Sequence, residues 1–248
     1  MAEGVATGTE RGTRAGEHWF VRDLRKLAAA ATAGLVSGFV VAGIGSRLAM
    51  MLLAVLNPEA TGVVSDDGFM IGKFDLVDTL NLVLFTSILG VLGGAFFLAV
   101  RSLRFGPPWF RTASVVVGPA VVVGALLVHQ GGVDFTLLEP AWLAIALFVV
   151  IPGLYAWAVM VLADRWLEDD SWFLTSDRGW IAGLAPVLLL GPALVLVAAG
   201  FVVRLLLESF ERLRVVARRI VPPLARAAFV AVFVIGLVDL VRDTVALV

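Results

Sequence analysis

The chain has 248 residues, 60% hydrophobic and 16% charged, with a net charge of −1 and a mean hydropathy of +0.98. Globular domains are about 25% charged and about 45–50% apolar, so an ordinary soluble protein is excluded, and the near-neutral charge offers no footprint for nucleic acid. Cysteine is absent, which excludes disulfides, thiolate metal sites and cysteine nucleophiles.

The apolar residues gather in long runs that do not alternate, so the pattern is not that of a β-barrel. It predicts an all-α, polytopic transmembrane bundle of about six spans, near 27–56, 79–100, 113–130, 141–163, 180–203 and 222–241. Arginine outnumbers lysine 17 to 2, the coding bias of a GC-rich genome. The expected location is therefore a bacterial plasma membrane.

Residues 1–17 are rich in Gly, Thr, Glu and Ala without apolar period and read as a disordered cytoplasmic tail. The transmembrane domain covers 18–248. His18 to Lys26 reads as a short interfacial segment, with Trp19 at headgroup depth and Arg22, Arg25 and Lys26 on the cytoplasmic side.

Leu27 to Asn57 is the stretch around which the rest is arranged. From Leu27 to Ser46 there is no charge in 20 residues, enough for a span. Ala30, Gly34, Gly38, Ala42 and Ser46 recur every four residues, so one face of a regular helix is small throughout. Such a face lets helix backbones pack closely in lipid. Gly43 and Gly45 are positioned to kink the helix. Arg47 has two readings. If the span begins at Leu27, it lies near the outer interface and snorkels; if the span is centred later, it is buried and is a functional candidate.

Asn57-Pro58 ends the helix. The loop that follows carries Glu59, Asp66, Asp67 and Asp75 against Lys73, as expected for an extracellular segment. Ser65-Asp66-Asp67-Gly68 reads as a turn, with a hard-cation site as the competing reading. Gly45-Ser46-Arg47-Leu48, leading through Asn57-Pro58-Glu59 to Ser65-Asp66-Asp67-Gly68, resembles uncharacterised multi-pass integral membrane proteins of actinobacteria. The resemblance spans roughly the first hundred residues. It implies membrane location and bacterial origin, and marks Arg47, Asp66 and Asp67 as the polar signature.

In the second span Gly90 and Gly94 form a GxxxG step, a natural partner for the small face of the first. Asn81 is its candidate polar residue. Arg101, Arg104 and Arg111 around Gly106-Pro107-Pro108-Trp109 read as a cytoplasmic turn. The third span holds Gly118-Pro119 and ends near His129, an interfacial group. The fourth is interrupted by Pro152-Gly153. Asp164 to Gly179 is a polar loop. The fifth predicted span, 180–203, contains Pro186 and Gly191-Pro192. Residues 204–220 form a basic amphipathic helix suited to an anionic leaflet. Pro222-Pro223 restart the chain into the last span, where Asp239 and Arg242 are spaced as an i,i+3 pair.

Six crossings from a cytoplasmic N-terminus place the arginines of 204–219 outside, against the positive-inside trend. Either the charge rule fails here, or 180–203 is a re-entrant hairpin turning at Gly191-Pro192. Six crossings with both termini inside is the expectation carried forward.

There is no HExxH, GxSxG, P-loop or GxGxxG, so the expectation is a non-enzyme with no catalytic residues, no metal and no cofactor. Two functions fit. One is a structural or accessory component that packs helices and binds lipid, another membrane protein or its own copies. The other is a small permease with Arg47, Asn81 and Asp239 along a pathway.

Overall fold

A computed structural model describes residues 19–65, 68, 70–191 and 211–248, with the pairs 194–195, 199–200 and 202–203 between. The predicted tail, Asp66, Asp67 and the 204–210 part of the amphipathic helix lie outside the described residues. Five helices among those described are long and apolar enough to cross a membrane. The molecule is an all-α helical bundle, as its hydrophobic runs require.

The first rod is α1 (Trp19–Ser37), a π-helical stretch (Gly38–Ile44) and α2 (Gly45–Leu56), continuous from end to end. The predicted interfacial segment is simply its first turns. Leu27, Ala28 to Ala31 and Ala33 are all buried. Short side chains allow neighbours on every side, and α1 packs against α3 (Leu76–Val100), α6 (Ala141–Trp166) and α8 (Asp177–Leu188).

The α1–α3 contact is backbone on backbone. A Cβ placed on Gly34 would meet the Gly90 carbonyl oxygen, and lie 2.9 Å from the Gly94 nitrogen. One on Gly94 would meet the Ala30 carbonyl oxygen, and one on Gly38 would lie 2.9 Å from the Gly90 Cα. Beside this seam, Tyr155 of α6 donates its hydroxyl to the Gly90 carbonyl at 2.8 Å, through the gap that Gly93 leaves.

The remaining long helices are α4 (Pro108–Leu127) and α9 (Glu211–Leu247), with short α5 (Val133–Thr136) and α7 (Trp172–Thr175) in the connections. Side-chain contacts fix which helix ends lie together. At one end Arg25 reaches the Leu174 carbonyl and Asp177, Arg101 and Arg104 share Asp164, and Arg226 reaches the Leu103 carbonyl at 3.1 Å. At the other, Asn57 meets Glu139 and Gln130 meets Asp243. The start of α1 and the end of α9 therefore lie at opposite ends of the bundle.

This corrects two expectations. Within 180–203 no helix of crossing length is found among the described residues. Helix α8 stops at Leu188, Leu189 and Leu190 turn, and Gly191 takes φ +50° ahead of Pro192. Twelve residues rise only ~18 Å, about half a bilayer core, and by Arg226 the chain is back at the end from which α8 set out. A start of α1 and an end of α9 on the same side do not fit this arrangement. Nor do Pro222-Pro223 restart the chain: both lie inside α9, which is helical from Glu211 onward.

Candidate functional site

The π-helical stretch decides what faces the seam. In a regular helix the face through Ala30, Gly34 and Gly38 continues to Ala42 and Ser46. Here the turn is one residue wider, with the Gly45 N–H bonded to the Val40 carbonyl five residues back, as π-helices are. The buried face moves on by one. Gly43 takes the place expected of Ala42 and is buried against Val83 and Thr86, where an added Cβ would lie 3.2 Å from the Val83 Cα. Ala42 and Ser46 are only half-buried. One turn later it is Arg47 that faces inward, 7% exposed. Of the two readings of Arg47, the structure therefore shows the buried side chain and not the snorkelling one.

Above Arg47 lies a cap. The loop from Pro58 folds back as a hairpin, with Val64 and Met70 paired as an antiparallel bridge. The Gly68 N–H donates to the Ser65 carbonyl at 2.9 Å, closing the predicted turn with Gly68 at φ +81°. Ala60 and Ile71 pack with Leu53, Val128, Phe135 and Leu138 in a buried apolar cluster. Asn57, 1% exposed, fixes the cap to the next connection. Its Nδ2 donates to the carbonyls of Leu53 and Glu139, both at 2.9 Å, and its Oδ1 accepts from the Glu139 N–H at 2.7 Å. Asp75 closes the loop as N-cap of α3, accepting from the N–H groups of Val77 and Asp78 at 2.7 and 3.1 Å. Those bonds, with the charges of Lys73 and Arg47 nearby, hold its carboxyl below the usual carboxylate range.

Between cap and helices is a cavity of about 260 Å³. Arg47 lines it with Met50, Met51, Met70, Phe74 and Phe148, and the buried Ser65 and Asp134 border it, each engaged in contacts of its own. The Arg47 Nη2 donates to the Lys73 carbonyl at 3.1 Å and the guanidinium lies 5.7 Å from the Phe74 ring centroid. Its Nε is buried without an acceptor among the described residues. Two other arginines largely covered by the bundle differ. Arg25 has Asp177 at 2.9 Å, and Arg104 has Asp164 at 2.9 Å. Among the described residues no carboxylate lies within ion-pair reach of Arg47. A buried charge without a direct ion pair is costly, and one carbonyl, one ring and the more distant Asp75 carboxylate offset only part of that.

The structure does not bring the remaining polar candidates to this place. Asn81 is exposed on α3 and does not line the cavity. Asp239 pairs with Arg242 at 3.7 Å, both half-exposed, near the Gln130 end of α4. His129 is exposed against Phe135. Sequence reasoning missed Asn57 as a clamp, having read it as a helix stop, and missed Asp164 and the buried Asp243, having assigned the first to a solvated loop. The scarcity of asparagine, two in the whole chain, was the one available signal for Asn57.

Fold and apolar surface together define a multi-pass α-helical membrane protein. No family model matches the chain, and neither a curated protein nor a solved structure matches it. Its function is read from the geometry just described.

Proposed function

We propose that this is a non-catalytic accessory protein of a bacterial plasma membrane, with a cytoplasmic N-terminus, acting by binding at its outer cap and not by transport. The observation that carries this is a division of labour within the chain. The α1–α3 seam is glycine backbone against glycine backbone, with no side chain that could give way in a sliding motion. The polar irregularity is confined to one end, where a widened helical turn places Arg47 beneath a folded loop. Alternating access works by rocking one repeat against another around a midplane site. The candidate pathway residues Arg47, Asn81 and Asp239 lie apart, and the five crossing-length helices among the described residues do not divide into two matched halves of three.

Orientation follows from charge. The end that holds the start of α1 carries Arg22, Arg25 and Lys26, the Arg101–Arg111 turn, and Arg219 and Arg226. The end that holds the cap carries Glu59, Asp75, Glu139 and Asp243 against few bases. The positive-inside rule puts the first end in the cytoplasm. With the start of α8 and Arg226 of α9 both at that end, the basic opening of α9 is cytoplasmic too, and the conflict raised by six crossings disappears.

Two measurements test this. In the cysteine-free chain, single cysteines at Val215 and Ala246 are probed in intact cells with an impermeant thiol reagent. Labelling is expected at Ala246 alone; labelling at Val215 overturns the topology. In the same cells Gly38→Leu is expected to deplete the protein, while Arg47→Gln leaves its amount unchanged. Equal depletion by both would mean that Arg47 belongs to the frame and not to a binding cap.

A further inference from the structure

We propose that the Arg47 cavity receives the oxyanion head, carboxylate or phosphate, of a single-chain membrane amphiphile. The proposal rests on the reading of the cap as the binding part of the molecule, and adds the chemistry of what binds there.

The first observation is a buried charge that, among the described residues, no direct ion pair meets, Asp75 acting on it only from farther off. Arg47 is 7% exposed, makes one hydrogen bond among the described residues, and leaves its Nε without an acceptor. A guanidinium offers five donors in a planar fork, the geometry that matches a carboxylate or phosphate oxygen pair. An arginine meant only to snorkel keeps its head at the surface; this one is turned inward by a helical irregularity, and π-type insertions are frequent at functional sites. The second observation is the cavity wall. Beyond Arg47 it is chiefly apolar, and Met50, Met51 and Met70 are soft side chains that adapt to a flexible partner. The third is where the cavity gives out. Met51, Val55 and Phe74 line it and are also exposed, Val55 at 79%, so an alkyl chain whose head is at Arg47 can leave sideways along the apolar outer surface of α2. A volume of about 260 Å³ is below the ~300–1,000 Å³ of sites that engulf a drug-sized ligand. It has room for a head and the first part of one chain. Lys73, exposed at the rim, adds a second positive charge. Asp134 borders the same space, but it is buried and already engaged, which leaves the Arg47 side for the head. A neutral head leaves the guanidinium uncompensated, and a cationic one is repelled.

The test uses the full chain in a neutral detergent, with thermal unfolding and native mass spectrometry followed against ligand concentration. Dodecyl phosphate and dodecanoate are expected to bind saturably and raise the melting temperature. Dodecanol and dodecyltrimethylammonium are expected not to. Arg47→Gln should weaken anion binding at least tenfold, and Lys73→Glu several-fold. Equal binding by Arg47→Gln, or by dodecanol, overturns the site. Inorganic phosphate binding as tightly as dodecyl phosphate overturns the amphiphile and leaves a free oxyanion as the ligand. Should Arg47→Gln fail to accumulate, Lys73→Glu decides, because its side chain is exposed; unchanged affinity there overturns the proposal. If Arg47→Gln accumulates normally and no anion is preferred, the ligand class falls while the binding-cap reading survives.

Discussion

Gly34→Ala and Gly45→Ala make the same chemical change in the same rod, and are expected to move stability in opposite directions. At Gly45 the nearest atom to an added Cβ is the Val40 carbonyl oxygen at 3.9 Å, an ordinary contact. Alanine there gains helix propensity of ~0.5–1 kcal/mol over glycine. At Gly34 the same methyl meets the Gly90 carbonyl oxygen, with the Gly90 carbon and the Gly94 nitrogen each at 2.9 Å. All three are backbone, so no rotamer change relieves the overlap and the helices must part. Overpacking costs ~1–3 kcal/mol, and opening a seam by ~0.5–1 Å forfeits a quarter to a half of each dispersion contact along it. Taking the upper end of that range and subtracting the propensity gain leaves Gly34→Ala ~2 kcal/mol less stable than the parent. The two variants then differ by ~3 kcal/mol, or ~6–12 °C by the scaling for chains of this size. Tryptophan fluorescence during thermal unfolding in detergent measures the difference. A Gly34→Ala protein that melts at or above the parent temperature would refute the backbone-contact argument.

Two further outcomes follow from the cap. Asn57→Ala leaves the Glu139 N–H and carbonyl without their partner in a buried site, and is expected to cost ~2–6 kcal/mol at ~1–3 kcal/mol per orphaned group; limited proteolysis should find the 58–74 loop cut faster at unchanged helix content. Asp75 titrates with its carboxyl lowered in the folded state by the N–H groups of Val77 and Asp78. A depressed folded pKa contributes stability above the unfolded value, and that contribution is lost as pH falls through the folded one. Asp75→Ala should therefore melt below the parent near neutral pH, and the gap should close as the pH is taken below the ordinary carboxylate range. A gap that stayed constant would mean the cap bonds do not depend on ionisation.

The amino-acid order alone determined the class and much of the frame. Long uncharged runs can satisfy their backbone in lipid only as helices, and small residues spaced by four identify a close-packing face because helical periodicity is a local property. Ala30, Gly34, Gly38, Gly90 and Gly94 were legible for that reason. Past Gly38 the local rule failed. The wider turn at Gly38–Ile44 is settled by what the helix packs against, and it exchanged Ala42 and Ser46 for Gly43 and Arg47 on the buried face. The same holds for Asn57 on Glu139 and for Arg101 and Arg104 on Asp164, partners 60 to 82 residues apart. Whether a hydrophobic run crosses or turns back is likewise a matter of its surroundings: α8 stops at Leu188, and Leu190 beyond it is covered by α1 and α3. Helical phase and distant partners are set by tertiary packing, so only the folded chain could place an arginine inside it.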